Sequence, residues 1–297
     1  MSGLVAVPAL GQTAVPTFSG DRAMELLIAQ CDLGLRTPGS EGNEALRVMI
    51  ETAAREHGLS VTRVCFKAEI ALSGAEFDMC NLVVSTPRTG GDRLWLGAHY
   101  DTRPVCDQDP DPALRDHPLV GANDGASGVA VLLHVMEILG QTPPPGGVDL
   151  IFFDGEDSGR AGHPREYCLG SADLAARWND FGSPLAGPRP RGLIVLDMVG
   201  DKQLQIPMEG FSARYAPDLT RHIFDRAAAL QLDGFLPTPG MEVYDDHVPF
   251  LEQGIPAVDL IDFDYPPWHT TGDTPDKCSG ESLGQVGRLV VDLIYNP

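Results

Sequence analysis

The chain is short of basic residues, paired cysteine motifs and long apolar runs. Its 297 residues include 21 Lys and Arg against 42 Asp and Glu, and the formal charge of −21 repels phosphate backbones and anionic lipid surfaces. This balance argues against a nucleic-acid partner and favours cationic ligands, metal ions among them. No apolar run approaches the roughly 18 residues that a membrane span needs, so we expect no membrane span and a soluble protein.

The six cysteines form no Cys-x-x-Cys motif, which argues against a thiolate zinc site or a redox motif. Cys65 and Cys80 are the one suggestive pair. If residues 61–70 and 77–84 form a hairpin that turns around residues 72–73, these two cysteines face each other across it. The pattern leaves a disulfide open, although two buried free thiols are the more common outcome.

Predicted strands and helices alternate along most of the chain. The runs LWLGA, VDLIFF, GLIVL and PAVDLI are continuously apolar, as in strands that helices cover on both faces of a sheet. Strands are predicted near 60–70, 77–84, 93–98, 148–153, 192–197 and 256–261, and helices near 126–139, 169–178, 217–231 and 280–294. Two helical patterns come earlier, one opened by Asp21 and one capped by Ser40 or Asn43. The order predicts a doubly wound α/β fold.

We predict a single α/β zinc-enzyme domain over residues 21–297, behind an N-terminal arm over residues 1–20. The arm is small and apolar, but it lacks a basic beginning, and Pro8 interrupts it. A loose arm is the main expectation, and the trimmed end of an export signal is the alternative. The compartment therefore stays open: secreted or periplasmic if the N-terminus is truncated, cytoplasmic otherwise.

Acidic residues and histidines follow the apolar runs where the predicted strands end. They are His99 and Asp101 after the first run, Asp154, Glu156 and Asp157 after the second, Asp197 at the end of the third, and Asp262, Asp264 and His269 after the fourth. Asp124 lies in the glycine-rich turn GANDGASG, before a predicted helix. Because ligands bind beyond the carboxyl ends of the strands in an open α/β sheet, we expect these side chains to converge.

Five of these residues carry groups that bind Zn²⁺ or a related divalent ion: His99, Asp124, Asp157, Asp197 and His269. A lone Asp after a strand is more often a helix cap or a turn former. Several carboxylates at one edge of a sheet, however, repel one another unless a cation lies between them. We therefore predict a metal site, with Glu156 beside it free to accept a proton.

Eight motifs in the same order along the chain resemble the zinc-dependent exopeptidase superfamily of bacterial leucyl aminopeptidases. They are RTPGS, GAHYDT, GANDGASGVA, LIFFDGED, LGSADLA, LDMVGD, DDHVPFLEQGIPA and WHTTGDTPD, between residues 36 and 276. Within that superfamily the chain is most similar to the animal-type glutaminyl cyclases. The resemblance implies a three-layer α/β/α fold with a mixed, mostly parallel central sheet. It also implies an enzyme that acts on peptide or protein N-termini, and we expect a monomer.

Carried over by motif, the resemblance implies that Asp124, Asp157 and His269 bind the catalytic zinc. It implies that Glu156 is the general acid and base. One departure concerns the metal geometry: Asp157 stands where both branches of the superfamily usually carry Glu, so this ligand is one methylene shorter.

Two further positions separate the branches. His99 and Asp197 correspond to ligands of a second zinc in the aminopeptidases, whereas the cyclases keep both residues but hold one zinc. In a cyclase, Asp197 and Asp245 form a hydrogen-bonded carboxylate pair beside the reacting amine, and Trp268 is a wall of the substrate pocket. A second departure is that residues 158–168 contain no Trp, where animal cyclases place another pocket aromatic.

The resemblance implies a zinc-dependent glutaminyl-peptide cyclotransferase, which converts an N-terminal glutamine to pyroglutamate and releases ammonia. The alternative is a zinc aminopeptidase with two metal ions, in which Glu156 takes its proton from the attacking water. A non-catalytic binding module would have lost Glu156 or a ligand, and the sequence keeps them all.

Overall fold

The computed structural model describes residues 15–88 and 92–297. In these ranges the strands are β1 (Ser60–Ile70), β2 (Ala75–Ser85), β3 (Arg93–His99), β4 (Gly147–Phe153), β5 (Gly192–Asp197), β6 (Ile206–Met208), β7 (Phe235–Pro239) and β8 (Ala257–Ile261). The helices are α1 (Gly20–Cys31), α2 (Glu41–Glu56), α3 (Ala126–Gln141), α4 (Leu169–Ala176), α5 (Gly210–Tyr215), α6 (Pro217–Ala229), α7 (His247–Glu252) and α8 (Gly280–Tyr295).

The central sheet has six strands in the order β1-β2-β4-β3-β5-β8. Strands β4, β3, β5 and β8 are parallel, whereas β2 is antiparallel to both of its neighbours. The short strands β6 and β7 pair separately. The predicted mixed, mostly parallel sheet is therefore confirmed, and the carboxyl ends of four strands share one edge.

Helices cover both faces of this sheet, because successive residues of its strands point to opposite faces and both faces are apolar. Leu94 and Leu96 of β3 pack into the larger core cluster, which also contains residues of α1, α3 and α8. Trp95, between them, packs on the opposite face with residues of α4 and α7, edge-on against Phe250. The result is the three-layer α/β/α arrangement expected from the resemblance.

The first two helices begin at serine caps. Ser19 accepts a hydrogen bond from the backbone N–H of Arg22, so α1 begins just before the predicted opening at Asp21. Ser40 accepts from the backbone N–H of Asn43, which makes Ser40 the cap of α2. Residues 1–14 of the predicted arm lie outside the described residues, while Phe18 is buried in the core.

All predicted strands and helices correspond to observed elements, with ends that differ by at most about two residues. Four short elements, β6, β7, α5 and α7, have no counterpart in the prediction. Each spans 3 to 6 residues, too few for a hydrophobic period to emerge. None of the helices in the described ranges combines the length and apolar character that crossing a membrane requires.

The β1-β2 hairpin has the predicted register, with Cys65 directly opposite Cys80. The two cysteines form a disulfide, so the more common arrangement of two free thiols does not apply here. The bond links β1 and β2 at one edge of the sheet, whereas β5 and β8 lie at the opposite edge.

Candidate active site

A cavity of about 360 Å³ opens where the four parallel strands end. Its acidic lining consists of Asp107, Asp124, Glu156, Asp157, Asp197, Glu242 and Asp245, and its apolar lining includes Tyr167, Met198, Phe263 and Trp268. These residues lie far apart in sequence and meet because parallel strands place their carboxyl ends at one edge. The cavity therefore occupies the position at which the sequence predicted a site.

Five side chains form what we call the histidine-carboxylate cluster: His99, Asp124, Asp157, Asp197 and His269. Asp124 lies between the two imidazoles, with Oδ1 3.3 Å from His99 Nε2 and Oδ2 3.7 Å from His269 Nε2. His99 Nε2 is also 3.1 Å from Asp197 Oδ1. On the other side, His269 Nε2 is 3.2 Å from Asp157 Oδ1. All five predicted ligands thus come together, as two groups of three that share Asp124.

The donors of this cluster fit a divalent cation such as zinc. All five side chains belong to buried residues. Asp124 Oδ2 and Asp157 Oδ2 are buried, and neither finds a hydrogen-bond donor among the described residues. Burial and the charge of Asp157 raise the pKa of Asp124 to about 7, a direct sign of crowded carboxylates. A cation between these oxygens would satisfy both of them and offset their repulsion.

A buried carboxylate holds each of two loops that carry ligands, the loop of Asp124 and the loop of Asp157. Asp101 accepts hydrogen bonds from the backbone N–H groups of Glu156 and Asp157, at 3.0 and 3.2 Å. Asp273 accepts from the backbone N–H of Asp124 at 3.1 Å. The positions of the ligands are therefore fixed by backbone contacts as well as by side-chain packing.

Arg103, which the sequence analysis missed, links two residues of the cluster. Its Nη1 donates to Asp157 Oδ1 at 2.9 Å and its Nη2 to Asp107 Oδ2 at 2.7 Å. Asp107 Oδ1 in turn lies 3.3 Å from His269 Nδ1. Although burial opposes a charged ring, the carboxylates of Asp157 and Asp107 raise the pKa of His269 to about 9. A carboxylate at Nδ1 orients the ring so that Nε2 faces the cluster.

Glu156 belongs to a second group, which we call the carboxylate-thiol cluster: Glu156, Cys168, Asp245 and Asp246. The Cys168 thiol donates to Glu156 Oε1 at 3.4 Å. Burial raises the pKa of Glu156 well above its usual range, and the charges of Asp157 and Asp245 add to this, while His99 opposes it. Glu156 thus lies next to Asp157 of the histidine-carboxylate cluster and outside its two ligand groups, and its role as proton acceptor stays a prediction.

Asp245 and Asp197 both line the cavity. Burial and the charge of Asp197 raise the pKa of Asp245 to about 6, so electrostatic repulsion acts between the two carboxylates. Their oxygens also have other partners: Asp197 contacts His99, and Asp245 accepts from the backbone N–H of Asp246. A direct hydrogen bond between Asp197 and Asp245 stays a prediction.

Trp268, in the loop that follows β8, forms part of the cavity wall. Its ring stacks on His269, with centroids 3.8 Å apart, and packs against Phe263 at 5.0 Å. This position agrees with the pocket wall that the resemblance implies, and the contact of Trp268 with a substrate stays a prediction.

Besides Asp101, three acidic residues singled out after strand ends do not line the cavity. Asp154 is a buried anchor whose carboxylate accepts from Arg47 Nη2 at 2.7 Å and from the backbone N–H of Cys80 at 2.9 Å. Asp262 is buried and accepts from the backbone N–H of Gln205. Asp264 lines a separate surface depression. Residue type and strand-end position alone do not distinguish these structural acids from the site.

Several residues around the site carried no signal that the sequence analysis used. Asp259 is fully buried within β8, and burial and the charge of Asp245 raise its pKa well above the usual range. An acid inside the apolar run PAVDLI was a signal that could have found it. Cys168 gave no such signal because it lies at the start of α4, and Arg103 gave none because, although it follows β3, its guanidinium is not a metal ligand.

Backbone strain concentrates at the same place. The described residues include four non-glycine residues with positive φ, and three of them, Cys168, Met198 and His269, lie in or directly at the site. Such conformations cost roughly 1–3 kcal/mol each and persist only where the surrounding structure enforces them. The strain supports a functional role for this edge of the sheet.

Comparisons with known proteins agree on fold and family. The sequence model of peptidase family M28 matches residues 81–294. The crystal structure of a glutaminyl cyclase from Porphyromonas gingivalis has a TM-score of 0.87 at 34% identity, covering 92% of this chain and 96% of that one. A leucine aminopeptidase precursor from Bacteroides thetaiotaomicron has a TM-score of 0.88 at 32% identity, covering 95% and 99%.

A Bos taurus glutaminyl-peptide cyclotransferase-like protein is 28% identical over 286 residues, which cover 87% of this chain and 71% of its own. The family match begins in β2 and ends in α8, so it includes every residue of both clusters. With this match and a fold shared with zinc exopeptidase-like structures, the chain belongs to peptidase family M28.

Proposed function

We propose that this protein is a zinc-dependent glutaminyl-peptide cyclotransferase, an acyltransferase that converts an N-terminal glutamine of peptides to pyroglutamate and releases ammonia. The observation that carries the proposal is the position of Glu156. This half-buried carboxylate directly precedes Asp157 of the cluster that fits zinc, and one of its oxygens lies within 4.8 Å of an oxygen of Asp245. Asp197 lines the same cavity. The similarity to the P. gingivalis glutaminyl cyclase supports the same reaction.

Asp124, Asp157 and His269 would hold the catalytic zinc. When bound, zinc supplies Lewis acidity that polarises the carbonyl of the glutamine side-chain amide. Arg103 engages Asp157 Oδ1, whereas Oδ2 has no donor among the described residues, so Oδ2 would be free to bind the ion. We expect one ion per chain, with His99 bonded to Asp197 across their 3.1 Å contact.

Glu156 moves the proton in this proposal. Its carboxylate takes a proton from the α-amine as the nitrogen attacks the carbon of the side-chain amide. The same carboxyl then gives that proton to the departing ammonia, so one C–N bond forms and another breaks. Asp197 and Asp245 accept hydrogen bonds from the amine and hold it in place, and holding attacker and target together contributes much of the rate of a ring closure.

The shape of the cavity suits a single terminal residue. Its volume of about 360 Å³ is at the small end of ligand pockets. Trp268 offers a flat apolar surface for the methylene groups of a glutamine side chain. All the groups named come from one chain, so the site needs no partner subunit, and we expect a monomer.

An aminopeptidase is the second candidate, and one observation favours it. His99, Asp124 and Asp197 form a second group with metal-ligand spacing, and a structural neighbour is named as a leucine aminopeptidase precursor. Two ions would then be held, and Glu156 would take its proton from a water molecule that attacks the scissile peptide carbonyl.

The test is a direct comparison of two peptides that differ only in their first residue, glutamine or leucine. A cyclase releases one ammonia from the glutamine peptide without shortening it, and the protein carries about one zinc per chain. The same glutamine peptide with an acetylated amine is the control and should not react. Release of free leucine, with two metal ions per chain, would contradict the proposal and support the aminopeptidase.

A further inference from the structure

Cys168 lies in a group of three potential metal ligands, together with Glu156 and Asp245. The proposed reaction uses none of the three to bind a metal ion. One ligand atom from each of Glu156, Cys168 and Asp245 lies within 4.8 Å of the other two. The closest approach is the 3.4 Å between Cys168 Sγ and Glu156 Oε1. This contact places the Cys168 sulfur next to Glu156, and the residue is fully buried.

The backbone holds this thiol in place. The N–H of Cys168 donates to the carbonyl oxygen of Glu156 at 2.9 Å, and the N–H of Leu169 donates to that of Gly155 at 3.1 Å. These two bonds tie the start of α4 to the loop that carries Glu156. The left-handed backbone of Cys168, with φ of 57°, is part of the same junction.

A cation at this group would satisfy a buried oxygen that has no hydrogen-bond partner in the described part of the chain. Asp245 is 3% exposed, lines the cavity, and its Oδ2 has no hydrogen-bond partner among the described residues. The neighbouring Asp246 is also fully buried. Unpaired buried carboxylates are costly, and a cation is one group that relieves them.

The ligand types favour a soft or borderline ion. Thiolate sulfur selects Zn²⁺ and softer ions such as Cd²⁺ over Mg²⁺ and Ca²⁺, which prefer oxygen alone. We propose that Glu156, Cys168 and Asp245 form an inhibitory site for a soft divalent cation, Cd²⁺ or excess Zn²⁺, distinct from the histidine-carboxylate cluster. On binding, the Cys168 thiol releases its proton to solvent and a sulfur-metal bond forms.

The inhibitory effect rests on the proposed function, because it requires Glu156 and Asp245 to serve the substrate. A cation held by these two carboxylates prevents Glu156 from taking a proton and prevents Asp245 from receiving the amine. The peptide amine and the cation therefore compete for the same oxygens. Inhibition should weaken as the concentration of the glutamine peptide rises.

The test titrates the zinc-loaded protein with Cd²⁺ and follows the ultraviolet charge-transfer absorbance that a cadmium-thiolate bond produces. We expect one additional Cd²⁺ per chain with this absorbance, retention of the resident zinc, and loss of cyclase activity. In Cys168→Ala the absorbance should disappear, and inhibition should need at least about 10-fold more Cd²⁺, the lower limit seen when even an outer-shell partner of a metal site is lost.

Cys31→Ala is the matched control, since Cys31 is a free cysteine that belongs to none of the ligand groups among the described residues. It should keep both the absorbance and the inhibition. Cys168→Ser, checked by circular dichroism together with Cys168→Ala, replaces the thiol if the alanine variant fails to fold. An absorbance that persists without Cys168, or that vanishes with Cys31, overturns the proposal.

The two proposals fail in different ways. A Cys168-dependent absorbance in a protein that does not cyclise glutamine peptides would keep the cation site and reject the cyclase. Full cyclase activity with no Cys168-dependent absorbance would keep the cyclase and reject the cation site.

Discussion

The histidine-carboxylate cluster and the carboxylate-thiol cluster meet at adjacent residues, Asp157 and Glu156, yet they balance their charges differently. In the first cluster each carboxylate lies near an imidazole or a guanidinium: Asp157, for example, contacts both His269 and Arg103. In the second, Glu156 contacts a thiol, and the nearest charges include other carboxylates. The first arrangement suits a resident cation, and the second suits groups that gain and lose protons.

The pKa values of the two neighbours express this difference. Burial raises the pKa of both carboxyls, but His269 and Arg103 outweigh it at Asp157 and hold its pKa below the usual value. At Glu156 burial prevails, and the pKa lies well above the usual range. Residues one position apart thus acquire opposite tendencies, because consecutive side chains on a turn face different partners.

Glu156→Gln should have the largest effect, because it removes the proton acceptor of the carboxylate-thiol cluster and leaves the histidine-carboxylate cluster intact. Glutamine keeps the shape of the side chain but cannot take up a proton, so we expect kcat to fall by about 10²- to 10⁴-fold. Zinc content should not change, because Glu156 lies outside both groups of the histidine-carboxylate cluster. Steady-state kinetics and metal analysis of the same sample measure both quantities.

Exposed Glu25→Gln on α1 serves as the control for this variant and should behave like the parent protein. If Glu156→Gln kept full activity, Glu156 would not be the base. If it lost zinc, Glu156 would be a ligand, and the division between the two clusters would be wrong.

Asp107→Asn tests whether the first cluster depends on charges outside it. The change removes the charge that pairs with Arg103 and orients His269. We expect zinc affinity to fall by about 10- to 100-fold, as for other outer-shell partners. Competition with a chelator of known affinity measures this. Asp116→Asn, at an exposed position, should leave the affinity unchanged, and an equal affinity in both variants would remove Asp107 from the metal site.

Asp262→Asn gives the smallest effect and asks whether burial alone raises a carboxyl pKa in this fold. Burial, with a minor contribution from Asp201, raises the pKa of Asp262 to about 6. Because the folded state then holds its proton more tightly than the unfolded chain, stability should fall as the pH rises from about 4 to 6. The Asn variant should avoid this loss, and gain on the order of 1–3 kcal/mol relative to the parent at pH 7.

Urea unfolding of both proteins at pH 4.5 and pH 7 measures the difference. Asn keeps one carbonyl oxygen for the Gln205 N–H but loses the longer bond from the Asp264 N–H, at 3.3 Å, and this loss is the same at both pH values. A constant difference between the two proteins at both pH values would show that the environment of Asp262 does not disfavour its charge.

Much of the fold could be predicted because its longer elements carry regular patterns. Continuous apolar runs gave the central strands, and the facing positions of Cys65 and Cys80 gave the hairpin register. The disulfide itself was only one of two open outcomes, since a register places two thiols together but does not oxidise them. The short elements β6, β7, α5 and α7 were not predicted, because they contain too few residues for a hydrophobic period to be recognised.

The sequence by itself determined the histidine-carboxylate cluster. The carboxyl ends of parallel strands share an edge, so acids and histidines placed after apolar runs, with Asp124 of the glycine-rich turn, are the candidates to meet there, and five of them do. The sequence could not distinguish Asp154 and Asp262 from the residues of this cluster. All of them follow strands, and they differ only in the side chains and backbone groups that they contact in the fold.

Tertiary structure alone decided the carboxylate-thiol cluster and the Arg103 contacts. Cys168 reaches Glu156 because the start of α4 bonds back to the preceding loop, and Arg103 reaches Asp157 and Asp107 from a separate turn. Such contacts join segments with no shared periodicity, and so leave no pattern along the chain. The choice of partners around each carboxylate, which sets whether it holds a metal or moves a proton, is made in three dimensions.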